Sequence, residues 1–297
     1  MDISKLVEQN KVLIRENESR KRQALEQFRD WLKKHPFIKN CRQDDNFLLM
    51  FLRARKYAFD STAKTFENNF LLRKKHPKWF DDNPTAIERY KSLTRAGVIY
   101  LLKDRNSMGE AVFCVNSSKF DIEKFNADDS FHATYMTIFV ALEDEISQTI
   151  GLTYILNYSN TPMSFFSLHP VADVIDWVKS TSALPARFKK FIIIGLPPFT
   201  NALLNLVKMA MTEKQRDRLL ILDTCDELCQ HIDPSILPEV LGGTQSEEKI
   251  IDHFIKAIDD NLDKLKSANN FEIDEIKAAI QDEVKDTVGS FRKLDID

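Results

Sequence analysis

Apolar residues recur at helical spacing through the first part of the chain. The segment DDNFLLMFLRARKY (44–57) places Phe47, Leu48, Phe51 and Leu52 on one stripe, and residues 61–74 repeat the pattern with Ala63, Phe66, Phe70 and Leu71. Together with the breaker-poor stretch 5–34, these predict a small helical domain over residues 1–90. Pro77, Asn83 and Pro84 then punctuate the chain, and the period of the pattern changes. Short β-rich runs follow at 98–102 (VIYLL), 111–115 (AVFCV), 152–156 (LTYIL), 191–194 (FIII) and 219–222 (LLIL), with helical patterns at about 129–150, 165–179 and 199–211 between them. That alternation predicts an α/β domain over residues 91–248, with a largely parallel sheet and crossover helices. Residues 249–297 read as the body of two acidic amphipathic helices and a GSFRKLDID tail.

One helix departs from the ordinary amphipathic pattern. In FTNALLNLVKMAM (199–211), Phe199, Leu203, Leu204, Leu206, Val207, Met209, Ala210 and Met211 cover an arc of about 220°, whereas one core-facing stripe needs about 100°. The next residues, Thr212-Glu213-Lys214-Gln215, have the form of a capping box, so a second, basic helix is expected to start there. Two readings fit the wide arc: a helix buried between layers, or one that covers an apolar cavity on one side and meets a membrane on the other. In the second, opening would expose Leu203, Leu204 and Val207 at roughly 1.5–3 kcal/mol each in water. A bilayer reburies that surface, and each nearby basic residue adds about 1 kcal/mol on an anionic leaflet. Phe139, Tyr154, Phe165 and Phe166, with Leu156 and Ile193, are candidates to line such a cavity, although each is also an ordinary core residue.

The net charge of −3 conceals an asymmetry. Residues 187–218 hold seven basic side chains against two acidic ones, while residues 223–297 hold nineteen acidic against eight basic. A basic patch in an acidic chain points to a selective anionic partner. Nucleic acid is disfavoured, because the basic residues are few, local and not interleaved with stacking aromatics. The first residues contain no apolar signal core and no run is long enough to span a bilayer, so a cytoplasmic protein is expected. Cys41, Cys114, Cys225 and Cys229 show no zinc spacing, and six scattered histidines form no metal motif. The seven glycines make neither a phosphate loop nor a nucleophile elbow, and no catalytic constellation emerges.

Three motifs in order carry a family resemblance: DDNFLLMFLRARKYAFDSTAKTFENNFLLRKKHP, the wide-arc helix followed by MTEKQRDRL, and LPEVLGG at 237–243. With them the chain resembles CRAL-TRIO lipid-transfer proteins over residues 44–248, in the branch of the alpha-tocopherol transfer and retinaldehyde-binding proteins; its tail is similar to that of insect members. The resemblance implies an N-terminal three-helix domain and a mixed, mostly parallel sheet enclosing one hydrophobic ligand beneath a mobile gate, here 199–211. It also implies phosphoinositide head-group contacts at Lys214 and Arg218, at Lys190, and at Arg53 or Arg55. One family basic position falls on Phe188, with Arg187 next door as its substitute. Gly195 and Asn157 stand where the family has Asn and Asp.

The expected function is therefore non-catalytic binding and transfer of a retinoid, tocopherol or related isoprenoid by a monomer without cofactor or metal, docking transiently on phosphoinositide-containing membranes. The alternative is a signalling or trafficking adaptor that holds a phospholipid in the cavity. A hydrolase-like enzyme is a remote third reading, for want of the nucleophile elbow.

Overall fold

The computed structural model describes residues 2–274. The first segment forms α1 (Ile3–Ile14), α2 (Glu18–Lys33), β1 (Ile38–Lys39), α3 (Asp45–Ala54), α4 (Phe59–Lys75) and α5 (Pro84–Arg95). The stretch 5–34 is two helices because Arg15 turns left-handed (φ 62°) and the Asn17 side chain accepts from the Arg20 amide at 2.8 Å. The stripe on α3 and α4 is core: Phe51, Phe66 and Phe70 are fully buried, with ring centroids 4.9 and 4.6 Å apart.

The second segment runs β2 (Ile99–Leu101), β3 (Ala111–Asn116), α6 (Ala127–Leu142), α7 (Glu145–Ile150), β4 (Leu152–Asn157), α8 (Met163–Leu168), α9 (Val171–Ser180), β5 (Phe188–Ile194), α10 (Asn201–Ala210), α11 (Glu213–Arg216), β6 (Leu219–Leu222) and α12 (Cys225–Leu228). The sheet order is β2-β3-β4-β5-β6, with β2 antiparallel and the rest parallel, which is the mixed, mostly parallel sheet expected. Two expected helices are broken. Asp144 caps the amides of Ile146 and Ser147 at 3.2 and 3.1 Å, starting α7, and Pro170 separates α8 from α9. Each parallel strand is added beside the last, so crossovers of one hand bring their helices back over one face.

The chain ends, as described, with α13 (Glu247–Ser267) and β7 (Glu272–Ile273). Helix α13 packs on α5, α6 and β2. Strand β7 pairs antiparallel with β1, and Phe271 meets Phe70 at 4.7 Å. Residues 1–90 are thus not purely helical, and the boundary drawn at residue 90 falls inside α5. The second acidic helix expected near the terminus lies outside the described residues. Among the described residues, no helix is long and apolar enough to cross a membrane.

Arg53 belongs to this frame and not to an anion site. It is 1 % exposed and gives two 2.9 Å hydrogen bonds to Glu16, one of 2.8 Å to Gln148 and one of 3.1 Å to Glu145, which ties α3 to α1 and α7. Four of its five N–H donors are occupied, and its burial keeps a head group from reaching it. Burial pushes the Glu16 carboxyl up, but the hydrogen bonds and charge of Arg53 outweigh that and hold it below the ordinary range. The contribution of Glu16 to stability is therefore present above the ordinary glutamate pKa and lost as pH falls through the depressed one. Replacing Arg53 by Met leaves Glu16 buried and unpaired, and should cost about 3–5 kcal/mol at neutral pH. Denaturant unfolding that shows no loss would refute this assignment.

Candidate functional site

Side chains alternate across a strand, so Val115, Tyr154, Leu156, Phe191, Ile193 and Leu219 stand on one face of the sheet. They form the floor of a cavity of about 170 Å³. A water molecule needs about 10–15 Å³ on the same measure, and close-packed interiors hold few larger voids, so this is a built chamber and not a packing defect. Phe131 and Thr134 of α6, Phe165 and Phe166 of α8 and Trp177 of α9 complete the walls. Among the described residues, no Lys, Arg, Asp or Glu lines it. His169 does, with Nδ1 donating to the Phe165 carbonyl at 2.9 Å and Nε2 2.7 Å from Ser130 Oγ; burial lowers its pKa and keeps it neutral.

Helix α10 closes the chamber without a single buried residue. Leu203, Leu204 and Val207 are half-buried and face the cavity. Phe199, Leu206 and Met209 are 51, 44 and 80 % exposed, and Ala210 is half-buried outside the lining. The wide apolar arc therefore has an inner and an outer side. Tyr154, Leu156, Phe165, Phe166 and Ile193 line the cavity. Phe139 does not: it is fully packed, its ring 4.6 Å from the guanidinium of Arg73. Phe199 touches the chamber only through Phe166, edge-on at 5.3 Å.

Both ends of α10 are articulated. Gly195 has φ 63°, and a Cβ there would lie 2.4 Å from Ser159 Oγ, so only glycine fits; Pro197 and Pro198 follow it. At the other end the capping box forms, with the Thr212 amide donating to Gln215 Oε1 at 2.7 Å and the Gln215 amide to Thr212 Oγ1 at 3.3 Å. Short α11 is bonded to its neighbours on both sides. Arg216 donates to the last carbonyls of α10, those of Lys208 (3.2 Å) and Met211 (2.5 Å), and Gln215 Nε2 donates to Thr181 Oγ1 at the end of α9 (2.6 Å).

A basic cluster lies beside α11. Burial lowers the pKa of Lys214, and so do the charges of Arg218, Lys56, Arg55 and Arg187; Lys189 is lowered by burial, Arg187, Arg218 and Lys56, with Glu110 opposing. Arg187 is brought down to about 10 by burial and by Arg218. Arg55, Arg187 and Arg218 donate to the carbonyls of Ser182, Thr149 and Phe188, and among the described residues no ion pair joins a carboxylate to any of the six cations. Like charges so crowded are relieved by a polyvalent anion.

Sequence reasoning counted Lys189 and Lys190 alike among the basic residues, carried only Lys190 into the expected head-group contacts, and did not name Lys56. A β-bulge sets the two adjacent lysines apart: Leu152 pairs with Phe188 but Thr153 pairs with Lys190, which leaves Lys189 as the extra residue. Lys190 stands on the opposite side of β5 from Phe191 and Ile193. Gly151 permits the close approach, since a Cβ there would lie 2.4 Å from the Arg187 carbonyl.

With this geometry in hand, comparison with known proteins is direct. The model for the CRAL/TRIO domain matches residues 95–243, half of the chain, and one described as Pinta-like, UBA domain matches residues 17–88. The chain belongs to the CRAL/TRIO family. It is 26 % identical over 240 residues to Clavesin-1 of Xenopus laevis, covering 80 % of this chain and 72 % of the relative. It is 24 % identical over 220 residues to the mouse alpha-tocopherol transfer protein-like protein, covering 72 and 62 % respectively. The crystal structure of Sfh5 superposes with a TM-score of 0.51 at 10 % identity, over 91 % of this chain and 99 % of that one, and so shares the fold. Family membership carries the binding and transfer of a lipid or other small hydrophobic ligand.

The two sides of α10 make separable expectations. Leu203→Asn sets an amide against the apolar chamber at about 1–3 kcal/mol and should weaken binding of the neutral dye Nile red roughly tenfold. Met209→Asn, on the outer side, should leave dye binding within about twofold. Equal effects would show that the helix has no distinct inner side.

Proposed function

We propose that the protein carries one neutral isoprenoid-like ligand, of the retinoid or tocopherol kind, and exchanges it at phosphoinositide-containing membranes by opening α10. It acts as a monomer in the cytoplasm, without catalysis. The observation that carries this reading is an unburied helix closing an uncharged chamber next to uncompensated cations. Opening α10 in water exposes Leu203, Leu204 and Val207, each already half-exposed, at about 1 kcal/mol apiece. At a bilayer, acyl chains take up that surface together with Phe199, Leu206 and Met209, and a head group neutralises Lys56, Lys189 and Lys214. Because Arg216 and Gln215 join α11 to the ends of α10 and α9, an anion that displaces Lys214 also disturbs the closure.

The adaptor reading, with a phospholipid inside, is supported less well. Its phosphate would be buried in a lining without Lys or Arg, at a cost of several kcal/mol.

Co-sedimentation with phosphatidylcholine vesicles containing phosphatidylinositol bisphosphate tests the docking step. Changing Lys56, Lys189 and Lys214 together to Glu should weaken binding at least about a hundredfold, from roughly 1 kcal/mol per cation lost, while Nile red binding is unchanged. Lys190→Glu alone should cost less than threefold. Vesicle binding that survives the triple change would overturn the docking site.

A further inference from the structure

Two polar atoms of the cavity wall have no partner. Ser117 Oγ and Trp177 Nε1 are both shut off from solvent, both belong to lining residues, and neither makes a hydrogen bond. Several other polar groups of the lining are engaged. Thr134 donates to the Ser130 carbonyl, Thr181 to that of Val178, Thr200 to that of Pro197, and His169 is held at both nitrogens. Buried polar groups in folded proteins are almost always satisfied, so two orphans on residues that line one chamber point to where a ligand, met by a small turn of each side chain, supplies the partner.

Their chemistry differs and their places differ. The indole N–H is a donor only, so whatever meets Trp177 must bring an acceptor oxygen; the Ser117 hydroxyl rotates and can donate or accept. Trp177 sits by Tyr154, their rings 5.8 Å apart, and Tyr154 is level with Phe113 in the register of β3 and β4. Ser117 lies just past the end of β3, four positions beyond Phe113, which at about 3.3 Å per residue sets it about 13 Å along the sheet from that level. Val115, Leu156 and Ile193 occupy the floor between. The chamber is apolar in the middle and hydrogen-bonding at two separated points.

Resting on the carrier reading above, we propose that the ligand is a neutral hydrophobe oxygenated at both ends: an acceptor, carbonyl or hydroxyl, against Trp177 Nε1, and a hydroxyl or carbonyl against Ser117 Oγ. A carboxylate or phosphate at either end has no cation to meet in the lining and is excluded. A ligand with one oxygen leaves one of the two orphans unpaired and binds less tightly.

The test uses three straight-chain probes of ten carbons, each displacing Nile red from the full-length protein at neutral pH: decanol, decanediol with a hydroxyl at each end, and decanoate. The diol is the more water-soluble of the two alcohols, so a chamber that sorts by hydrophobicity alone prefers decanol. The expected result is that the diol binds at least as tightly as decanol and at least about tenfold more tightly than decanoate. Trp177→Phe, which keeps a ring in place, and Ser117→Ala should each cost the diol roughly tenfold, one hydrogen bond apiece, and together make it bind more weakly than decanol. Decanol preferred over the diol by tenfold, or a diol affinity indifferent to both substitutions, would overturn the two-ended ligand and leave the carrier reading standing. Failure of Nile red and all three probes to bind would overturn both.

Discussion

An apolar sheet face must be covered, and in this protein everything turns on how incompletely that is done. The alternating side chains from Val115 to Leu219 demand a hydrophobic layer above them, and α6, α8 and α9 supply most of it with fixed, packed residues. The last portion falls to a ten-residue helix with no buried side chain. A cover held by three half-buried aliphatic residues lies over the apolar chamber. The local stability of a protein is not uniform, and elements that move are drawn from its low end.

The remainder of the molecule is correspondingly stiff. Arg53 binds α1, α3 and α7 through charged hydrogen bonds. Arg73 lies between the rings of Phe80 and Phe139, each 4.6 Å away, and reaches Asn269 beyond α13; burial brings its pKa down to about 9. Asn40 and Glu272 close β7 over β1. These ties fix the frame against which the proposed hinging of α10 at Gly195 and Thr212 would take place. Placement of the cations follows the same logic, since Lys214 sits on the four-residue helix whose Gln215 and Arg216 hold the ends of α9 and α10. In the proposed cycle, charge neutralisation and release of the cover would act on one short segment.

What the sequence disclosed was local. The five strands, the capping box at Thr212 and the excess apolar arc of α10 each depend on neighbours a few residues apart, and all are present in the structure. Long-range pairings escaped. Arg53 reads as one more basic residue of FLRAR because its partner Glu16 lies thirty-seven positions away. Strands β1 and β7 are two residues each and exist only because segments more than two hundred positions apart meet. Which of Lys189 and Lys190 joins the cluster was set by a one-residue bulge, since a slip of one position moves a strand side chain to the other face. Phe139 and Phe165 are alike in sequence, and only the packing of their helices, α6 also presenting Phe131 to the chamber, separates core from lining. Ser117 and Trp177 carry no signal at all before the fold brings them to one chamber.

The central claim is that α10 leaves its place at a phosphoinositide surface and stays in place elsewhere. Spin labels at the exposed positions Asn205 on α10 and Lys179 on α9, with Cys225 and Cys229 replaced by Ser, report that separation by pulsed dipolar spectroscopy. The account predicts a single distance in water and with phosphatidylcholine vesicles, and a second, longer population when phosphatidylinositol bisphosphate is added to the vesicles. One unchanged distance under all three conditions would contradict it.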